Sequence, residues 1–263
     1  MSERNKLRKI IINESSILDL SKQEKISAEQ RLLEARQEYE AALREALVFA
    51  HTLHFRIAIF GSARLCPESD EFKFIKELTR SIVDNRKIDI VTGGGPGIMK
   101  AANEGLMASR KNGNGNEKEA KNYGLTIELP SENKPSNNLH FETKHEHFGT
   151  RLQHFVELCH GAYLGEGGIG TLLELLYVLQ LKQVKHIEAS FPLVAHPKWK
   201  NVVDSWNNRL YHERVNEEKT PLISKKDLES IEFSNDIDEI IETFSRHYDD
   251  WYKNIHSKVQ IVD

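Results

Sequence analysis

Three glycine-bearing turns carry the residues of this chain best suited to chemistry: Gly61-Ser62, Gly93-Gly94-Gly95-Pro96-Gly97 and Gly167-Gly168-Ile169-Gly170-Thr171. Each follows a short apolar run of strand length and precedes a segment with helical spacing. A glycine turn at such a place lets backbone amides approach an anion closely, and the N-terminus of the following helix favours its negative charge. One turn of this kind is explained by the sterics of a tight connection. Three in one domain point to a phosphate-bearing ligand held by Gly61, Ser62, Gly94, Gly95, Gly97, Gly167, Gly168, Gly170 and Thr171. Met99, just after the second turn, reads either as core or as a wall of the pocket beside it. Glu174 lies one helical turn beyond the third loop. Its carboxylate is either a reacting group facing the bound ligand or a first-turn acid answering the helix dipole.

The elements that must position these residues follow from hydrophobic period. RIAIFGSA is a buried strand, DEFKFIKELTRSIVDN a helix, and DIVTGGGPGIMKAANEG a strand, a turn and a helix beginning near Pro96. YGLTIELPSE is a further strand closed by Pro130, after a polar insertion KNGNGNEKEAKN. HFGTRLQHFVELCHGAYLG runs helix to strand, with Cys159 a small buried hydrophobe. SFPLVAHP and LESIEFSN are later strands around the helix KWKNVVDSWNNRLYH. A last helix opens after Asp236 as its cap. Alternation of this kind predicts an α/β fold, a doubly wound parallel sheet of Rossmann-like form over residues 55–263, with ligands bound beyond the carboxyl ends of its strands. Residues 1–54 form an N-terminal helical extension. There Ala28, Leu32, Ala35, Tyr39, Ala42, Ala46, Phe49 and Leu53 recur at alternating spacings of four and three. Such a seam packs either on its own domain or across a subunit interface. HFETKHEH, residues 140–147, reads as a solvated loop or as lining for the base pocket, since His145 and His147 lack the H-E-x-x-H spacing of a zinc site.

Several function classes are disfavoured. The formal net charge of -4 argues against a nucleic-acid surface. Only two cysteines are present, so no disulfide framework or zinc spacing exists and a reducing compartment is expected. Neither a signal peptide nor a membrane span is read, and the expected location is the cytoplasm. The first turn lacks the G-x-G-x-x-G dinucleotide fingerprint, and the Walker pattern is missing.

VTGGGPGIMKAANEG, then GLTIELP, then GGIGTLLE resemble the Lonely Guy (LOG) family, once labelled lysine decarboxylases, many of which are nucleoside 5'-monophosphate phosphoribohydrolases. The family signature is P-G-G-x-G-T-x-x-E, with an arginine sixteen residues before its first paired glycine; here that glycine is Gly167 and the arginine is Arg151. The resemblance covers about residues 55 to 215. It implies a hydrolase without cofactor or metal that releases a free base and ribose 5-phosphate, working as a homodimer or larger homo-oligomer. It implies that Arg151 and Glu174 are catalytic: Glu174 would face the sugar, and Arg151 would hold Glu174 ionised or bind ribose or phosphate oxygens. Two positions depart from the pattern: Glu166 replaces the signature's proline and Leu152 the lysine after the arginine. The first adds negative charge beside the loop and the second removes a cation. The rival reading is a nucleotide sensor of the same fold that binds without turnover and signals through its helical extension. A decarboxylase using pyridoxal phosphate would need a Schiff-base lysine with its supporting groups, and no pattern for one is present.

Overall fold

The computed structural model describes residues 22–50, 54–112, 120–127 and 139–259. The polar insertion, Pro130 and Leu53 of the sequence reading lie outside them.

Helix α1 (Lys22–Ala50) precedes β1 (Phe55–Phe60), α2 (Asp70–Asn85), β2 (Ile88–Thr92), α3 (Ile98–Asn112) and β3 (Asn122–Ile127). Then come β4 (Phe141–His145), α4 (Phe148–Leu158), β5 (Gly161–Leu164), α5 (Ile169–Gln183) and β6 (Leu193–Ala195). A 3-10 turn at Pro197–Trp199 leads into α6 (Lys200–Asn207) and further short helical segments, and β7 (Glu232–Phe233) and α7 (Ile237–Val259) follow. The strands form one seven-stranded sheet in the order β4-β3-β2-β1-β5-β6-β7, parallel at every pairing. All six residues of β1 are buried, as an apolar run between two layers of helices requires. Phe55, Ile57 and Ile59 face a core shared with α2, α3 and α7, while Ala58 and Phe60 face one shared with α4, α5 and α6. The doubly wound fold is therefore as the periodicity predicts.

Three local outcomes matter for the site. Asp236 caps α7 as expected, its Oδ1 accepting from the amides of Asp238 and Glu239. Helix α3 begins at Ile98, two residues after Pro96, because Gly97 takes a left-handed φ of 64° and turns the chain first. The expectation of a solvated loop at 140–147 fails: Phe141–His145 is the edge strand β4, and His145 is buried. Helix α1 packs on α4 with Ala42 and Ala46 of its seam buried, while Leu32, at 72% exposure, and Tyr39 stay open.

Candidate anion site at the carboxyl edge of the sheet

Strand order reverses between β1 and β5, so the connections leaving these two strands diverge and open a crevice there. All three glycine loops leave the sheet at this edge. Ser62 ties them together. Its amide donates to the Glu166 carbonyl of the third loop at 2.9 Å, and its carbonyl accepts from the Ile98 amide of the second at 3.0 Å. Gly97 can only be glycine here, since its φ is left-handed and a side chain would overlap the Ser62 carbonyl. Gly61 lies against the Ile98 side chain, and the Gly94 amide donates to Thr92 Oγ1 at 3.1 Å. In the third loop Thr171 folds its hydroxyl over Gly167, whereas Gly168 and Gly170 face open space. Gly168 is the N-cap of α5, so the amides of that first turn have no capping side chain and face the crevice.

Arg151 lies beside the second loop. Its guanidinium lies against Gly93, where any side chain would displace it, and over the ring of Phe155 at 5.6 Å. Its Nε donates to the Leu125 carbonyl of β3 at 2.7 Å. Met99 reaches back over Gly93 and Gly95, its Sδ 3.4 Å from the Gly95 amide, so it lines this loop instead of the core. Glu174 is half-buried, and among the described residues it makes no hydrogen bond. Burial pushes its pKa up to about 8, with the charge of Arg151 acting the other way. Arg151 therefore favours the ionised form of Glu174, against a larger opposing effect of burial.

The departure at Glu166 is accommodated. Its carboxylate pairs with Lys198, and its amide donates to Glu71 Oε1 at 3.0 Å. Lys198 therefore offsets the negative charge of Glu166 beside the third loop, while the cation lost at Leu152 is not replaced by it. Sequence reasoning missed Lys198, Glu71 and His196, which come from separate elements with no motif between them. Glu71, Glu166 and His196 place ligand atoms within 4.8 Å of one another. Yet His196 Nδ1 accepts the Lys198 amide at 3.1 Å, which leaves the ring proton on the Nε2 that faces Glu71. That nitrogen lies 3.7 Å from Glu71 Oε2, beyond hydrogen-bond reach, so the three groups are near neighbours tied through Lys198 to the third loop.

Helix α1 enters the neighbourhood through Glu38. The carboxylate accepts from His145 Nδ1 at 2.9 Å, His147 Nδ1 at 2.8 Å, the Glu146 amide at 3.1 Å and the Thr150 hydroxyl. Burial opposes its ionisation, but the hydrogen bonds from His147, Thr150, Glu146 and His145 bring its pKa down to about 2.

The sequence model of a family described as "Possible lysine decarboxylase" matches residues 99–244. A search of curated protein sequences found no match. Among solved structures, the chain is similar to the molybdenum cofactor carrier protein of Chlamydomonas reinhardtii, at 13% identity and a TM-score of 0.50, over 74% of this chain and 98% of that one. It is similar also to the molybdenum cofactor binding protein of the phototrophic bacterium Rippkaea orientalis, at 16% identity and a TM-score of 0.50, over 73% and 96% of the two chains. At these identities the likeness shows the fold. Among the described residues no helix is long and apolar enough to cross a membrane.

Proposed function

Because the chain belongs to the "Possible lysine decarboxylase" family, the Lonely Guy family its motifs resemble, we propose that it hydrolyses the N-glycosidic bond of nucleoside 5'-monophosphates. The products are the free base and ribose 5-phosphate. The observation that carries this reading is Glu174: a half-buried carboxyl with Arg151 as its charged neighbour, one turn into the helix that the third loop opens. A site built only to hold phosphate needs the amides, not that pair.

In this reading the 5'-phosphate lies on the amides of Gly168, Gly170 and Thr171, with the Ser62 and Gly95 loops completing the cradle. The ribose then sits toward Glu174. As the bond from C1' to the base nitrogen breaks, its electron pair leaves with the base and positive charge develops on the sugar. Ionised Glu174 stabilises that charge and takes a proton from the attacking water, whose oxygen bonds to C1'; that proton then passes, directly or through solvent, to the departing base nitrogen, which returns Glu174 to its ionised form. Arg151 favours the ionised form of Glu174 and can bind ribose or phosphate oxygens. Met99, beside Gly95, forms a wall toward the base.

The decarboxylase label of the family fits poorly. A Schiff-base lysine needs a free amine beside the phosphate cradle. Lys198 is paired with Glu166, and Lys182 gives its ammonium to the carbonyls of Phe191 and Ser230 at the far end of α5, roughly 16 Å of helix from Thr171. Homodimerisation belongs to the same reading, supported by the exposed Leu32, Leu33, Leu47 and Val48 of α1. Deleting residues 1–50 should then change the mass in light scattering or lower solubility.

The deciding experiment incubates the protein with AMP and a panel of other monophosphates, with EDTA present, and looks for ribose 5-phosphate. Release from at least one is expected, and AMP should raise the melting temperature while adenosine does little. Binding with no turnover on any monophosphate would favour the nucleotide-sensor reading; equal stabilisation by adenosine would remove the phosphate cradle.

A further inference from the structure

Helix α1 is 29 residues long, yet among its described residues only Ala42 and Ala46 bury an apolar side chain fully. Leu32, Leu33, Leu47 and Val48 are exposed. Two alanine methyls contribute roughly 1–2 kcal/mol of burial, too little to fix a helix of this length. Among the described residues, its hydrogen bonds to the rest of the fold come from two carboxylates. Glu38 and Glu45 stand seven residues apart on one face, and Glu45 accepts from Thr143 Oγ1 at 2.6 and 2.7 Å through its two oxygens. Glu38 takes the donors at the β4–α4 junction, including the His147 amide at 3.3 Å.

Both places where these carboxylates grip are places that hold Arg151. His147 is the N-cap of α4 and makes no capping hydrogen bond with its own side chain. Glu38 stands at this helix start instead, accepting from the N-cap amide of His147, the preceding Glu146 amide and the Thr150 hydroxyl, with its negative charge at the positive end of α4. Arg151 follows Thr150 directly, and its amide makes the first bond of that helix, to the His147 carbonyl at 3.2 Å. A side-chain anchor of Arg151 is the Leu125 carbonyl, and Leu125 pairs in register with Thr143, the residue gripped by Glu45. One face of α1 thus fixes the turn that carries Arg151 and the strand pair that receives it.

We propose that α1 is part of the site, with Glu38 the positioning residue for Arg151. The inference rests on the reading that Arg151 acts there, but its first test needs no activity. In the full-length chain labelled with 15N-arginine, the Arg151 Nε–H signal is identified by its loss in Arg151→Lys. Bonded to the Leu125 carbonyl, that proton should exchange slowly in the wild type. Glu38→Gln keeps the volume and replaces one acceptor oxygen with an NH2 group that faces donors. It should speed that exchange at least about tenfold while the melting temperature moves by only a few degrees. Glu45→Gln, which loses a single partner, should do less. Where a monophosphate is turned over, Glu38→Gln should lower kcat about tenfold with KM within threefold, and shift the pH limb of Glu174 upward as Arg151 moves off. A helix that merely braces the fold would lower stability without moving that limb. Unchanged Nε–H exchange in Glu38→Gln overturns the proposal whether or not the chain is a hydrolase. So does faster exchange with unaltered turnover. A wild type without turnover defeats the hydrolase reading alone, and the exchange result still decides this one. Should Glu38→Gln lose its folded transition, Thr150→Val, which removes only the hydroxyl beside Arg151, is judged by the same outcomes.

Discussion

At the amino edge of the sheet, Arg56 and Asp89 stand opposite each other on β1 and β2, both fully covered. Arg56 Nε donates to the Leu158 carbonyl at 2.8 Å. Asp89 accepts from His54 at 2.9 Å, the Lys121 amide at 2.8 Å and the Tyr123 hydroxyl at 3.3 Å. The Arg56 amide donates to His160 Nδ1 at 3.1 Å, and burial pushes the Tyr123 phenol well above its ordinary range. At the carboxyl edge Glu174 is also desolvated, but it receives no hydrogen bond among the described residues and has only Arg151 for a charged neighbour. The amino edge is a closed network in which buried charges answer one another. The carboxyl edge is left open, with helix-terminal amides and a carboxyl whose ionised form lacks a full complement of donors. A protein keeps such a deficit where something else is to complete it.

The largest break in that comparison comes from the closed edge. Asp89→Ala leaves His54, the Lys121 amide and Tyr123 without their common acceptor, removes a buried counter-charge near Arg56, and should lower the unfolding free energy by about 3–5 kcal/mol. Urea melts read this, while AMP affinity of the folded fraction stays as it was. At the open edge the effect goes to function instead. Glu174→Gln should reduce ribose 5-phosphate release at least about a hundredfold with AMP affinity held within a few-fold; wild-type-like turnover in this variant would end the assignment.

The same substitution sharpens the contrast in stability. Glu174 rises from an ordinary 4.5 to about 8 in the folded chain, so its contribution is fully present below about pH 4.5 and lost as pH climbs through about 8. Glu174→Gln should therefore melt above the wild type at pH 8 to 9, with the gap closing toward pH 5. Turnover should run the opposite way, kcat/KM rising about tenfold per unit below pH 8 and levelling above it. The smallest effect is expected at Gly170, which faces open space in the first turn of α5. Gly170→Ala should leave the melting temperature level or slightly raised, as alanine favours helix, and weaken AMP binding by a few-fold. Unchanged affinity would mean that this amide does not meet the ligand.

Features that depend only on neighbours along the chain were legible before any fold was seen. The apolar run of β1 declares a strand covered on both faces, the glycines after it declare a close approach of backbone, and Asp236 declares a helix start. Each is a local steric or hydrogen-bonding requirement that few residue types meet. The matched spacing of Arg151 and Gly167 was legible too, through resemblance. Tertiary structure decided what depends on partners far apart in sequence. His145 reads as a loop histidine until α1, 107 residues earlier, sets Glu38 beside it. Glu166 reads as an obstacle until Lys198, 32 residues on, neutralises it. Glu174 reads as an ionised acid until the packing around α5 removes its water. Burial and long-range charge are properties of the assembled fold, and no local pattern of residue types encodes them.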